Sequence, residues 1–124
     1  MRNDDSIVLD VRYGDVSILL MGDVGASVER EIIPLLRPAS TRILKVGHHG
    51  SRTSTSQVFL DAVRPHIAII SCGRGNTFGH PAPEVLQRLE AIGADIYRTD
   101  RDGEIALESD GHYVRVRTFT GGRK

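Results

Sequence analysis

The stretch Val58-Phe59-Leu60-Asp61-Ala62-Val63-Arg64-Pro65-His66-Ile67-Ala68-Ile69-Ile70 decides the fold class. Its first half sets Val58, Phe59, Ala62 and Val63 on one face at helical spacing, so a helix is expected over about Gln57 to Val63, closed by Pro65. Its second half, Ile67 to Ile70, is a continuous apolar run of the kind expected for a strand buried on both faces. A helix handing over to a buried strand across one proline points to an α/β domain.

The same alternation continues outward. Upstream, Ile7 to Arg12 and Val16 to Leu20 flank the turn residues Tyr13-Gly14-Asp15 and read as a β-hairpin. After Gly22-Asp23 the period changes: Val28, Ile32, Leu35 and Leu36 fall at helical spacing, with Ser27 as the expected N-cap and Pro34 ending or kinking the helix. Arg42 to Val46 is a short strand, and Ser51 to Ser56 is a loop. Downstream, Gly73 to Asn76 is a second loop. Pro81 and Pro83 then introduce a helix with Val85, Leu86, Leu89 and Ile92 on one face and Gly93 as its C′ residue. Ile96 to Arg98, Glu104 to Leu107 and Tyr113 to Phe119 read as strands joined at Asp102-Gly103 and Asp110-Gly111. The expected architecture is α/β, a mixed β-sheet with helices on one face. Residues 1–120 form one unit, and 121–124 are expected to fray.

Composition narrows the function classes. A chain of 124 residues suits one domain. Lys plus Arg and Asp plus Glu number 16 each, so no global field announces a nucleic-acid partner and any such binding must be local. With 40% hydrophobic and 26% charged residues the chain lies far from the composition of disorder. Its longest apolar stretches, Ile67 to Ile70 and Ile18 to Met21, fall well short of the roughly 20 residues that cross a bilayer. The single cysteine, Cys72, excludes an internal disulfide and a CxxC zinc ribbon, and reads as a small core residue. No basic segment followed by an apolar one marks a secretory signal at the N-terminus.

Three polar points stand at expected strand ends, where α/β folds place function: Gly22-Asp23, His48-His49-Gly50-Ser51 and Gly79-His80-Pro81. Asp23 has the oxygens of a metal ligand, although a turn or capping role is the common fate of a lone aspartate. Adjacent histidines point in different directions. A satisfied turn is the common fate of such a pair; the alternative is that one of His48 and His49 ligates a metal while the other hydrogen-bonds it, orients a substrate or donates a proton. His80 precedes a helix start that favours an anion. Ser51, Thr53, Ser54, Thr55 and Ser56 offer hydroxyls for phosphate, with capping as the ordinary alternative, and Arg52 and Arg74 are loop cations. His66 and His112 carry no assigned role.

The stretches Leu44 to Ser54 (LKVGHHGSRTS), Phe59 to Ser71, Gly79 to Ile105 and Asn3 to Asp23 closely resemble the C-terminal half of the metallo-β-lactamase-like domain of ComEC-type competence proteins. The likeness covers nearly the whole chain. A GD followed by HHG about 25 residues later also occurs in related metallo-hydrolases, and here His48 and His49 follow Asp23 by 25 and 26 residues. The resemblance implies half of an αββα sandwich. It also implies a divalent-metal hydrolase, a phosphodiesterase or nuclease acting on DNA during uptake, outside the cytoplasm and attached to the bacterial membrane in full-length relatives. Zn or Mn is the implied metal.

Position by position, the resemblance makes Asp23 the carboxylate bridging a metal pair and His49 a ligand of the second metal. His48 becomes a substrate or supporting histidine, and His80 a ligand or a phosphate contact and proton donor. Ser51 and Arg52 remain substrate-binding candidates from the residues themselves, with capping and a solvated surface as the alternatives. One part of the pattern is absent: no HxHxDH or HxDxDH cluster occurs between Met1 and Lys124. One carboxylate and two or three histidines cannot fill two zinc coordination spheres. The chain is therefore expected to be a fragment with an incomplete metal site and an uncovered apolar sheet face. Such a face would pair with the missing N-terminal half-domain or form a homodimer. The alternatives are a noncatalytic fragment that binds nucleic acid or a partner, and a remnant without function.

Overall fold

The computed structural model describes residues 7–22, 24–47, 54–72 and 81–119. Strands β1 (Leu9–Tyr13) and β2 (Val16–Leu20) form the expected antiparallel hairpin. At its turn Gly14 takes a φ of +58°, a conformation that glycine reaches without steric cost. Three parallel strands follow: β3 (Thr41–Lys45), β4 (Ile67–Ile70) and β5 (Asp95–Arg98). The sheet order is β1-β2-β3-β4-β5. The architecture is thus α/β with a mixed sheet, as the alternation of periods predicts.

Helix α1 (Ala26–Ile32), continued by a 3-10 turn over Ile33–Leu35, links β2 to β3; α2 (Gln57–Val63) links β3 to β4; α3 (Pro83–Ala91) links β4 to β5. Parallel crossovers are right-handed, and this strand order never reverses, so all three helices fall on one face. There Leu19, Leu44, Val46, Ala68 and Ile70 pack with Phe59, Leu60, Val63, Val85 and Leu89 into the core. Pro34 lies in the 3-10 turn that ends α1, as expected. The expected Ser27 cap is displaced. Gly25 holds the N-cap position without a side-chain bond, because the helix begins two residues earlier than its apolar spacing suggests. Helix α3 starts with Pro83 as its first residue. It closes with Gly93 N–H donating to Glu90 O and Ala94 N–H to Leu89 O, the pair of bonds that a left-handed C′ glycine permits.

The opposite face is where the expectation for β4 needs correction. Ala68 and Ile70 are buried, whereas Ile67 and Ile69 are only half-buried. Register aligns one row of Leu9, Leu20, Lys45, Ile69 and Tyr97 and a second of Val11, Ile18, Ile43, Ile67 and Asp95 on this helix-free side. Its outer strand is the most open, with Leu9 51%, Val11 49% and Tyr13 60% exposed. The last elements are a one-turn helix α4 (Thr99–Asp102) and a separate hairpin, β6 (Ile105–Ser109) with β7 (Val114–Thr118). That hairpin's turn docks on the first one, where Asp15 N–H donates to Gly111 O at 2.7 Å. Among the described residues no helix is long and apolar enough to cross a membrane.

Candidate functional site

Strands β2, β3, β4 and β5 run parallel and end on one edge, at Leu20, Lys45, Ile70 and Arg98. Each segment that carries a candidate follows one of those ends: Gly22-Asp23 after β2, 48–53 after β3 and 73–80 after β4. Asp23, His48, His49, Ser51, Arg52 and His80 all lie outside the described residues. So do Thr53, Arg74 and the 120–124 tail. What the structure describes is the scaffold on either side of them.

Gly47 is the informative neighbour. A Cβ built there would lie 3.1 Å from Met21 Cβ and 3.4 Å from the carbonyl oxygens of both Gly22 and Val24. The backbone immediately before His48 is therefore packed against the backbone on both sides of Asp23. The far end of the 48–53 segment is tied back to the same point, because Ser54 Oγ donates to Gly47 O at 3.0 Å in a buried bond. Thr55 follows with a φ of 55°, a strained conformation for a β-branched residue.

A buried carboxylate holds that strain in place. Glu29 on α1 accepts hydrogen bonds from Thr55 N–H and, at 3.0 Å, from Ser56 N–H, and Arg88 on α3 donates to Thr55 O at 3.0 Å. Ser56 Oγ then caps α2 by accepting from Phe59 N–H at 3.3 Å. Of the hydroxyls that the sequence offered for phosphate, Ser54 and Ser56 thus serve the loop and the helix. Glu29 was legible only as an α1 residue, since its partners stand 26 and 27 positions away.

A second network at this edge was missed by the sequence reading, which took Asp102-Gly103 as a plain turn. Thr99 Oγ1 accepts from Cys72 N–H at 2.8 Å and donates to Cys72 O at 2.9 Å, stitching the end of β4 to the end of β5. Asp102 is buried and accepts from Arg98 N–H at 2.9 Å. The Arg98 guanidinium forks onto both oxygens of Asp100, at 3.1 and 2.8 Å. That bond holds the Asp100 carboxyl below its ordinary pKa, against the opposing push of burial. Burial, then the neighbouring Asp100, raise the Cys72 thiol, so it stays protonated as a small core residue and is no activated nucleophile. The available signal was Thr99 to Gly103 itself, a fourth polar stretch after an apolar strand.

Among the described residues no group of three or more His, Cys, Asp or Glu is placed to hold a metal ion. The donors that remain, Asp23 with His48, His49 and His80, are of types that suit Zn or Mn and are too few for two ions.

Comparison with known proteins supplies the kinship. The chain is 38% identical over 119 residues to ComE operon protein 3 of Bacillus subtilis (strain 168), an alignment covering 96% of this chain and 15% of that protein. The chain is a homologue of competence-related proteins. It is also 38% identical over 104 residues to Competence protein ComA of Neisseria gonorrhoeae, covering 83% of this chain and 15% of the relative. Recombination protein 2 of Haemophilus influenzae is 40% identical over 105 residues, which is 85% of this chain and 13% of that protein. The chain thus spans about one seventh of the length of these relatives. No family model matches it, and no solved structure does.

Proposed function

We propose that this chain is one half of a divalent-metal phosphodiesterase or nuclease domain that acts on DNA in competence-related uptake. The observation that carries this reading is the packing of Gly47 against the backbone on both sides of Asp23, the residues next in the chain to two of the motifs. The kinship with competence proteins supports the biological setting. In this reading Asp23 and His49 are metal ligands, His48 and His80 hold or move protons at the scissile phosphate, and Ser51 and Arg52 bind its nonbridging oxygens. A bound Zn or Mn pair supplies an acidified water and a clamp for developing charge.

The remaining metal donors come from outside this chain. The helix-free sheet face, apolar from Leu9 to Ile69, is the surface on which they arrive. Its occupant is the preceding polypeptide of the longer protein or a second copy of this chain, and in the longer protein the domain stands outside the cytoplasm.

Elemental analysis of the purified chain for zinc and manganese tests the reading, with Asp23→Ala and His49→Ala alongside. Near-stoichiometric metal lost in both variants is the expected result, and a nuclease assay on the chain joined to its upstream half follows. Absence of metal from the folded chain, both alone and joined to that half, overturns the enzymatic reading.

A further inference from the structure

A cleft of about 550 Å³ opens at the other edge of the sheet, at the amino ends of β3 and β4 and between the last turns of α2 and α3. Its volume is that of a small-molecule site. Ser40, Arg42, Arg64, Pro65, His66 and Gly93 shape it, and none of its lining among the described residues is acidic. In a chain with 16 basic and 16 acidic residues this is a local excess of positive charge.

The Arg42 cation is held in place. Arg42 is buried, and its guanidinium donates to Ser17 Oγ at 3.2 Å and to Arg37 O. Its nearest counter-charge, Asp10, is shared with Arg12, which pairs with it at 3.0 Å, so one carboxylate faces two guanidiniums. Burial lowers the Arg42 pKa, with Asp10 opposing and Arg12 adding, as expected for a cation short of an anion. His66 Nδ1 accepts from Arg42 N–H at 3.1 Å. The neutral ring then carries its proton on Nε2, a donor on the far side of the ring. Arg64 sits at a φ of 48°, where glycine is the easy residue, and so adds a second cation to the lining at a conformational cost. The carboxyl ends of α2 and α3 add carbonyl acceptors, which disfavour a bare anion and favour one carrying its own N–H donors.

We propose that this cleft binds a 5′-nucleotide, with Arg64 and His66 donating to the phosphate and Arg42 supplying charge. The inference is independent of the proposed metal site, whose candidate segments follow the opposite strand ends. The nucleotide is either free or the phosphorylated end of a DNA strand. Titration of dAMP into the full chain, followed by NMR at low salt, tests it. Saturable shifts at Arg64 and His66 with a millimolar-range Kd are expected, weakened about tenfold in both Arg64→Gly and His66→Ala. Arg64→Gly relieves the backbone strain, so its loss of binding is not a loss of fold. Tighter binding of a 5′-phosphorylated oligonucleotide than of its 5′-hydroxyl twin assigns the strand end, and equal binding assigns the free nucleotide. No saturable shift up to about 20 mM dAMP, or wild-type affinity in either variant, overturns the proposal.

Discussion

Glu29 and Thr55, 26 residues apart, meet in a buried bond in which the Glu29 carboxylate accepts the Thr55 backbone N–H. This bond and its companion from Ser56 lock α1 to the start of α2 and hold Thr55 at its positive φ. Glu29→Gln replaces one accepting oxygen with a donor facing a donor. It is expected to cost about 2 kcal/mol in urea unfolding, with Glu29→Ala costing more.

Gly47→Ala tests the proposed site from its scaffold. The added methyl meets Met21 Cβ at 3.1 Å and two carbonyl oxygens at 3.4 Å, so the two loops must part by a few tenths of an ångström. Stability should fall by about 1 kcal/mol, whereas metal affinity should fall by about tenfold because ligand spacing is what changes. Parallel denaturation and metal titration of the same variant separate the two effects.

Gly14 and Gly93 form a matched pair. A Cβ on Gly14 would lie 2.5 Å from Gly111 O, at a φ of +58°, whereas one on Gly93 meets nothing within 4 Å, at a φ of +81°. Gly93→Ala therefore carries only backbone strain, about 1 kcal/mol. Gly14→Ala adds a backbone clash that undocks the two hairpin turns and should cost about 3 kcal/mol or more by thermal melting.

Acid should destabilise the fold in a traceable way. At Asp10 burial pushes the carboxyl up, but bonds from Ser17 and Arg12 and the charges of Arg12 and Arg42 outweigh it; at Asp100 the Arg98 bond dominates. Both carboxyls titrate below the ordinary 3.8 in the folded chain. As pH falls through that value the unfolded chain takes up protons first, so their stabilisation, full above it, is lost through the lower folded values. Urea midpoints measured from about pH 6 to pH 2 should drop on that limb. Asp100→Asn should make the drop shallower.

The helix-free face should make the isolated chain self-associate. Val11→Lys, on the open outer strand, keeps its stem on the surface and puts a charge on that face. Sedimentation at rising concentration should show association in the wild type and less of it in the variant, with little change in melting temperature.

Much of the architecture was legible from local pattern. Helix α2 and strand β4 sit where the change of period at Pro65 placed them, and Pro83 and Gly93 bound α3 because proline fixes its φ while glycine reaches a positive φ freely. What failed were readings of where short helical elements begin and end. Ser27 lost its cap to Gly25, and Thr99 to Asp102 wound into a helical turn around the Arg98 and Cys72 bonds.

By itself, then, the amino-acid sequence determined the periods, the turns and the three motif-bearing strand ends, since these depend on side-chain spacing and on φ preferences within a few residues. Only the tertiary structure decided that Gly47 abuts both neighbours of Asp23 and that Glu29 clamps Thr55. Those are contacts between residues about 25 positions apart, and chain crossover and packing, not local propensity, bring them together.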